Sequence, residues 1–552
     1  MRRSIGTLAT GTLATGTLAI GTLGRIGAAA AWVALALCAL PLPASAQKQG
    51  GILRIMHNDS PASMSILEES TITAEGPMMA VFNNLVMFDQ HVAQNSPATI
   101  VPDLAESWSW SDDKTALTFK LRGGVKWHDG KPFTAADVKC TWDLLIGKSS
   151  DKLRLNPRKS WYQNLDSVTA NGELEAIFHL KRPQPSIISM LASGWSPVYP
   201  CHVPAREMRQ HPIGTGPFKF VEFKPNESIK LTRNPDYWKP GRPYLDGIEY
   251  TIIRNLSTGI LALGAHQFDR TGEGYLSVSL LKQFKSEAPG LHCDIATWNT
   301  SRSLILNRKA PPFDNPDLRH AIALSLNRQA FIDIIGAGQG DIGATMQPPP
   351  EGIWGMPPDM LRTLPGYGGD IAKNRAEARA IMEKLGYGPN KRLALKVSAR
   401  DVASFRDPAV ILIDQLKEIY IDGALDTVDT TQWYPKVMRK DYAIAFTVTE
   451  TALDDPDQMF YENYSCGSER NYTGYCDPKV DALIAQQSAE PDFDKRRQIV
   501  WEIERYLAAD AARPIIFHPK SIGCWYPDLK VTPIMVNSPY NGWRMEDVWL
   551  DR

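Results

Sequence analysis

The residues of this chain that could do chemistry are dispersed. Its ten histidines form no tight pair, so no H-E-x-x-H helix turns two imidazoles toward one metal. There is no G-x-S-x-G elbow to expose a serine nucleophile, no G-x-x-x-x-G-K-[ST] loop to cradle phosphates, and no G-x-G-x-x-G turn after a strand. The run GTGPF, Gly214 to Phe218, has the wrong spacing for a phosphate loop and reads as a bend entering a strand. His128, in the turn GGVKWHDG, has no second ligand at metal spacing and reads as a solvated loop histidine. These residues argue against an enzyme and imply no cofactor.

Of the seven cysteines, Cys38 lies in the apolar N-terminal stretch, which leaves an even set of six. In an oxidising compartment such a set is compatible with disulfides. Cys466 and Cys476 flank the turn-rich stretch GSERNYTGY, and that spacing predicts a bridge between them. Cys140, Cys201, Cys293 and Cys524 are too far apart for sequence to pair, and some of them read as buried free thiols.

The elements that must position any site alternate between strand and helix. Leu117, Phe119 and Leu121 alternate with polar residues, as do Leu393, Leu395 and Val397, so both segments are expected as half-buried strands. Thr134 and Asp137 form a capping box ahead of Val138, Trp142 and Leu145 at helical spacing. Asn315-Pro316 and Asp477-Pro478 each place a cap before a proline at the first helical position. Ala378, Ile381, Met382 and Leu385 make one apolar helix face that Gly386 ends. Proline and glycine gather at Pro212 to Phe218, a candidate domain boundary, and in two loops, Gln347 to Pro358 and Leu364 to Asp370.

Residues 1–46 read as an export signal. Arg2, Arg3 and Arg25 are its only charges, an apolar run from Ala28 to Leu42 follows, and Ala44-Ser45-Ala46 is a small-residue cleavage site. The apolar run is shorter than the roughly 20 residues of a spanning helix. No cysteine follows the cleavage site to accept a lipid. Loss of this stretch removes three of the 60 basic side chains and none of the 61 acidic ones, so the remainder carries a net charge of −4. A near-neutral surface of mixed signs carries no footprint for nucleic acid or anionic membrane. The residues that remain of 552 exceed what one core supports, so two or more lobes are expected.

Five blocks, in order, resemble one family. They are GGILRI (Gly50 to Ile55), the long segment from Val101 to Trp142, GTGPFKFVEFKPNESIKLTRNPDYW (Gly214 to Trp238), PPFDNPDLRHAIALSLNRQAFI (Pro311 to Ile332) and DDPDQMFYENYS (Asp454 to Ser465). Together they are similar to the bacterial family 5 solute-binding proteins, which include oligopeptide-, dipeptide- and nickel-binding receptors. The resemblance implies an α/β, periplasmic-binding-protein type II fold, with two lobes, a hinge and an extra subdomain in the first lobe. By that analogy 47–80, 211–292 and 515–552 form the discontinuous first lobe, 81–210 the extra subdomain and 293–514 the second lobe. It further implies a monomeric periplasmic receptor that binds a peptide or other small molecule and delivers it to the permease subunits of an ABC transporter in the inner membrane. A metal chelate is the alternative solute and a secreted hydrolase the alternative of another class.

A closing cleft binds by covering apolar ligand surface while a few polar groups fix orientation. The candidates are Trp298 and Arg302 just past the expected crossing, Trp433 and Tyr434 in TTQWYPKVM, and Asp454 and Asp455, in a loop that follows a strand. Structural roles compete for each: Asp455-Pro456 is a common turn pair, Trp433 could be a core aromatic, and Arg302 a surface charge. In peptide-binding relatives an aspartate three residues before the Asp-Pro pair holds the peptide amine, and here that register gives Ala452. Either Asp454 takes the role, or the ligand is not held by a free amine.

Overall fold

The computed structural model describes residues 47–272, 276–450, 453–530, 541 and 544–552. The export signal and Ala452 therefore lie outside the described residues. Among those described, the fold is mixed α/β, built on a 12-stranded sheet. Its path runs from Ile421–Val428 through Leu393–Arg400, Ile444–Glu450, Thr300–Leu306, Ile515–Trp525, Arg270–Thr271, Ile52–His57, Gly247–Ile252 and Ser228–Arg233 to Phe218–Lys224. At one end Leu393–Arg400 runs parallel to Ile421–Val428, and further along Ile52–His57 runs parallel to Gly247–Ile252.

The strand Ile515–Trp525 lies mid-path and belongs to both groups of strands. Its start pairs antiparallel with Thr300–Leu306, with Arg302 opposite Phe517. Its finish pairs antiparallel with His292–Thr297, with Thr297 opposite Lys520. The chain thus passes from one group of strands to the other twice, side by side. The turn at Trp298 and Asn299 interrupts one crossing. Pro519, which has no N–H for the ladder, lies on the other.

The cores follow the same division. One cluster joins Leu53, Ile55, Ile248 and Tyr250 of the sheet to Phe119, Trp142, Trp161 and Phe178. Phe119 and Phe178 are diagonal neighbours, ring centroids 5.5 Å apart, in a second, four-stranded antiparallel sheet made from residues within 105–180. Another cluster gathers Leu304, Leu306, Phe331, Val397, Leu412, Phe446 and Phe517. Of the described residues in 293–514, only Leu453 enters the first cluster.

Local expectations hold where short-range chemistry decides. Leu117, Phe119 and Leu121 are buried on one face of Ala116–Leu121. Thr134 and Asp137 close a capping box on the helix Ala135–Leu145. Asn315 and Asp477 accept from Asp317 N and Lys479 N at 2.8 and 2.9 Å. Gly386 follows Ile371–Lys384 with φ of 84°, a left-handed conformation suited to glycine.

Two expectations are corrected. Cys140 bonds Cys201 and Cys293 bonds Cys524, so neither pair is free thiol; Cys466 bonds Cys476. Cys293 and Cys524 are cross-strand partners, a proximity that a separation of 231 residues conceals. His128 is not a solvated loop histidine. Its Nδ1 accepts from Gly214 N at 3.3 Å, so Nε2 holds the proton and donates to Gly216 O at 3.0 Å. Burial pushes its pKa down to about 4, which keeps the ring neutral. The imidazole fastens the GTGPF loop to the 101–142 segment, and the loop in turn lies on Val81. A Cβ at Gly214 would sit 1.9 Å from Val81 O, so no larger residue fits there.

Candidate ligand site

The site is built where residues 47–292 meet residues 293–514. At one place Asp59, two residues beyond the first strand, is buried and accepts from Arg400 Nη2 at 2.6 Å and from Thr430 Oγ1. Arg254 Nη2 lies 3.0 Å from the other Asp59 oxygen, and Arg254 Nη1 reaches Asp429 at 3.1 Å. Arg400 ends the strand Leu393–Arg400, and Thr430 opens the helix Thr430–Met438. Two strands, one from each group, therefore deliver their C-terminal ends to a single ion-pair cluster, the usual place for ligand chemistry in such sheets.

At a second place Asp457, in the first turn of the helix Pro456–Asn463, is wholly buried. It accepts from Gln184 Nε2 at 3.0 Å and from Ser186 Oγ, both on the far side, and from Gln487 Nε2 and from Ser488 Oγ at 2.7 Å. Asp455 caps that helix through Asp457 N at 2.9 Å, and both its oxygens accept from Arg496, at 3.0 and 2.7 Å. A cap and a two-pronged ion pair engage both of its oxygens. Asp455 holds the loop in place.

Asp454 points elsewhere. It lines a cavity of about 280 Å³ with Phe88, Ile353, Trp354, Phe493, Glu490 and Arg496. Burial, and then the neighbouring Asp455 charge, push its carboxyl up to about 7. Trp354 Nε1 donates to Asp454 O at 2.9 Å and positions the aromatic wall. Trp354 sits in the proline-rich loop Gln347 to Pro358, where glycine and proline signal a loop but not which of its side chains turns inward.

The other candidates separate. Trp298 and Arg302 share a second cavity of about 150 Å³ with Phe517 and Lys520, and the Arg302 guanidinium lies 5.8 Å from the Trp298 ring centroid. Arg302 is 6% exposed, so it is no surface charge. Tyr434 lines a third cavity of about 360 Å³ with Glu69, Thr71, Arg154, Pro435 and Met438, and its hydroxyl donates to Ser70 O at 3.4 Å. Trp433 lies in the core, packed with Ile305, Val437, Tyr442, Ala445 and Tyr472. It lies one residue before Tyr434 on the same helix, and a step of about 100° turns it inward. Asp59, Arg400, Asp457 and Trp354 were not singled out from sequence; a charged residue closing or following an apolar strand is the signal that could have found the first two.

No group of three His, Cys, Asp or Glu able to hold a metal occurs among the described residues. Nor is any described helix long and apolar enough to cross a membrane.

Residues 99–471 match the model of the bacterial extracellular solute-binding proteins, family 5. The chain belongs to this family. As a family 5 solute-binding protein it is a transport binding protein and not an enzyme. It is 24% identical to the probable di/tripeptide-binding protein 5 of Pseudomonas aeruginosa over 524 residues, which is 88% of this chain and 94% of the relative. The fold matches that of the periplasmic binding protein DppA from Helicobacter pylori in complex with the peptide STSA. There the TM-score is 0.81 at 21% identity, covering 92% of this chain and 99% of the other. It also matches MoaA of A. tumefaciens R10 in complex with mannopinic acid, with TM-score 0.79 at 20% identity, covering 92% and 100%. The α/β, type II periplasmic-binding-protein fold of this family 5 solute-binding protein is therefore the fold these structures share.

The raised Asp454 pKa has a direction that can be measured. A carboxyl whose folded pKa lies above its unfolded value binds more protons in the folded state, so its contribution to stability falls as pH rises. The window runs from the ordinary carboxylate range near 3.8 to about 7. Asp454→Asn should therefore leave the empty protein as stable as the wild type near pH 4 and raise its relative melting temperature progressively as pH climbs from about 4 to about 7, levelling off above that. Parallel melting curves from pH 4 to 8 with no such divergence would place the carboxylate in water.

Proposed function

We propose that this chain is the extracytoplasmic substrate-binding subunit of an ABC importer, taking a peptide into the cleft between two lobes and passing it to permease subunits in the inner membrane. The observation that carries this reading is the paired crossing at Thr297–Thr300 and Phe517–Lys520, where two adjacent antiparallel strands join two separately packed cores. Two short side-by-side connections permit bending about one line while restricting twist, the geometry of hinge closure on a ligand. The peptide- and solute-binding names of its relatives support it.

In this reading 47–80, 211–292 and 515–552 are the first lobe, 81–210 its added subdomain and 293–514 the second lobe. Residues 1–46 are a signal removed near Ala46, and the mature monomer works in the periplasm. Asp454, with its aromatic surround, receives an amine or other donor of the ligand, while Trp298, Arg302 and Tyr434 line neighbouring parts of the cleft. An amine partner would favour ionised Asp454, so binding strengthens as pH rises through about 7.

A non-peptide solute is the second reading. The observation behind it is alanine at position 452, where peptide-binding relatives place the amine-holding aspartate. Native mass spectrometry of protein purified from the periplasm separates the two: a spread of added masses matches a mixed peptide cargo, and one added mass matches a defined solute. A protein that neither carries nor takes up any small molecule, with scattering profiles identical in its presence and absence, overturns both.

A further inference from the structure

Asn95 is the one buried residue of the stretch 91–98. It is 3% exposed, and neither its Oδ1 nor its Nδ2 has a hydrogen-bond partner. An asparagine kept for a turn bonds the backbone beside it; this side chain bonds none. Its place is nevertheless fixed. Phe88 pairs with Ile100 at the base of the loop, Asp89 N donates to Thr99 O at 2.7 Å, and Ser96 closes a capping box with Thr99 directly after Asn95. One residue before, Gln94 Nε2 donates to Glu351 O at 3.3 Å, which ties the loop to the 293–514 segment.

Asn95 lines the cavity of about 280 Å³ that Asp454 also lines, and it comes from the 81–210 segment where Asp454 comes from 293–514. Phe88, Pro185, Trp354 and Phe493 make the walls largely apolar. The cavity's other charged groups are committed elsewhere. Arg496 grips Asp455 at 3.0 and 2.7 Å, and Glu490 accepts from Asp492 N at 2.9 Å. Asp454 Oδ1, by contrast, is buried without a partner. Burial raises that carboxyl to about 7, so near neutral pH it both accepts and, in its protonated fraction, donates. A buried amide with no partner is costly, and a group that pairs with it on entering the cavity removes that cost.

The donor and acceptor count selects among solute groups. An ammonium only donates, which leaves Asn95 Nδ2 unmet. A carboxylate only accepts, and it meets the Asp454 charge. An apolar group leaves both side chains unmet. A primary carboxamide accepts through its oxygen from Asn95 Nδ2, donates one N–H to Asn95 Oδ1 and keeps a second N–H for Asp454. We infer that, within the solute-binding reading on which this rests, the cavity takes a primary carboxamide of the solute, the side chain of glutamine or asparagine in a peptide cargo, and that Asn95 selects it. This narrows the donor that Asp454 receives to a neutral one.

The test offers the full protein four pools of tripeptides that differ only in carrying glutamine, glutamate, lysine or leucine at one position, each of the three positions in turn, with binding read by native mass spectrometry. The wild type should hold the glutamine pool about 5- to 100-fold more tightly than the leucine pool, and more tightly than the two charged pools. Asn95→Leu should bring the glutamine pool down to the level of the leucine pool. A merely structural asparagine would lower the melting temperature when replaced. Because this amide has no protein partner to lose, the empty Asn95→Leu protein should melt at or above the wild type. Asn95→Asp keeps the side-chain shape and sets a second carboxylate in the cavity, so it should turn the preference from glutamine to lysine; it provides the reading should the leucine variant not fold. A wild type that binds the leucine, lysine or glutamate pool as well as the glutamine pool, as it would if the cavity met only main-chain amides, overturns this inference and leaves the solute-binding reading standing. So does an Asn95→Leu variant that loses every pool equally. A wild type that takes none of the pools overturns the peptide reading together with it.

Discussion

Asp59→Ala should weaken binding of whatever solute the protein carries by roughly 100- to 1,000-fold, with the far-ultraviolet circular dichroism unchanged. Asp59 is 1% exposed and gathers Arg400, Arg254 and Thr430. Its removal leaves the Arg400 guanidinium, 5% exposed, without its closest anion. Breaking a buried pair in this way costs about 3–5 kcal/mol. In a form with the halves apart both arginines would meet water, so the cost would fall on the closed form, and each 1.36 kcal/mol shifts the closed-to-open ratio tenfold. Since a ligand that binds only the closed form loses affinity in proportion to that ratio, titration calorimetry reads the effect directly. The double variant Asp59→Ala with Arg400→Met should recover much of the loss, because it removes the orphaned charge along with its partner. Unchanged affinity in the single variant, with an unchanged radius of gyration, would show that this cluster does not hold the halves together.

The second large effect is expected at Asp457, and it should appear in stability before it appears in binding. Gln184, Ser186, Gln487 and Ser488 all donate to this carboxylate, and Arg496 Nη2 lies at 3.4 Å. Alanine at 457 would strand these donors in a site closed to water, since Asp457 has no exposed surface. Stranded buried donors together with a weakened ion pair cost about 3–5 kcal/mol. For a unit of roughly 150–250 residues that corresponds to a fall of about 6–20 °C in melting temperature. Asp457→Asn, which keeps one acceptor oxygen, should fall less. Differential scanning calorimetry checks both; a fall under about 2 °C for the alanine variant would mean that water reaches the site and replaces the lost acceptor.

Asp454, Asp455 and Asp457 lie within four residues and have three fates. Asp455 caps a helix and pairs with Arg496, Asp457 ties residues 184–186 to the helices beneath it, and Asp454 faces an aromatic cavity. The DDPD stretch announces the cap, since a carboxylate before proline at a helix start is a local arrangement. Nothing in it announces the partners of Asp457, which are supplied by Gln184 and Ser186 more than 270 residues earlier. The same holds for Trp433 and Tyr434, adjacent aromatics of which one packs in the core and the other lines a cavity.

By itself the amino-acid sequence determined what short-range physics decides: the strand from Ala116, the capping box at Thr134, the helix stop at Gly386 and the close bond between Cys466 and Cys476. The ordered family blocks added the α/β type II fold. Only the tertiary structure decided that Cys293 bonds Cys524, that His128 is half-buried and neutral, and that Asp59 meets Arg400. The reason is physical: capping and strand alternation are set by neighbours along the chain, whereas ion pairs and cross-strand bonds depend on where the sheet brings distant segments together. A single residue's type does not record the charge that will face it.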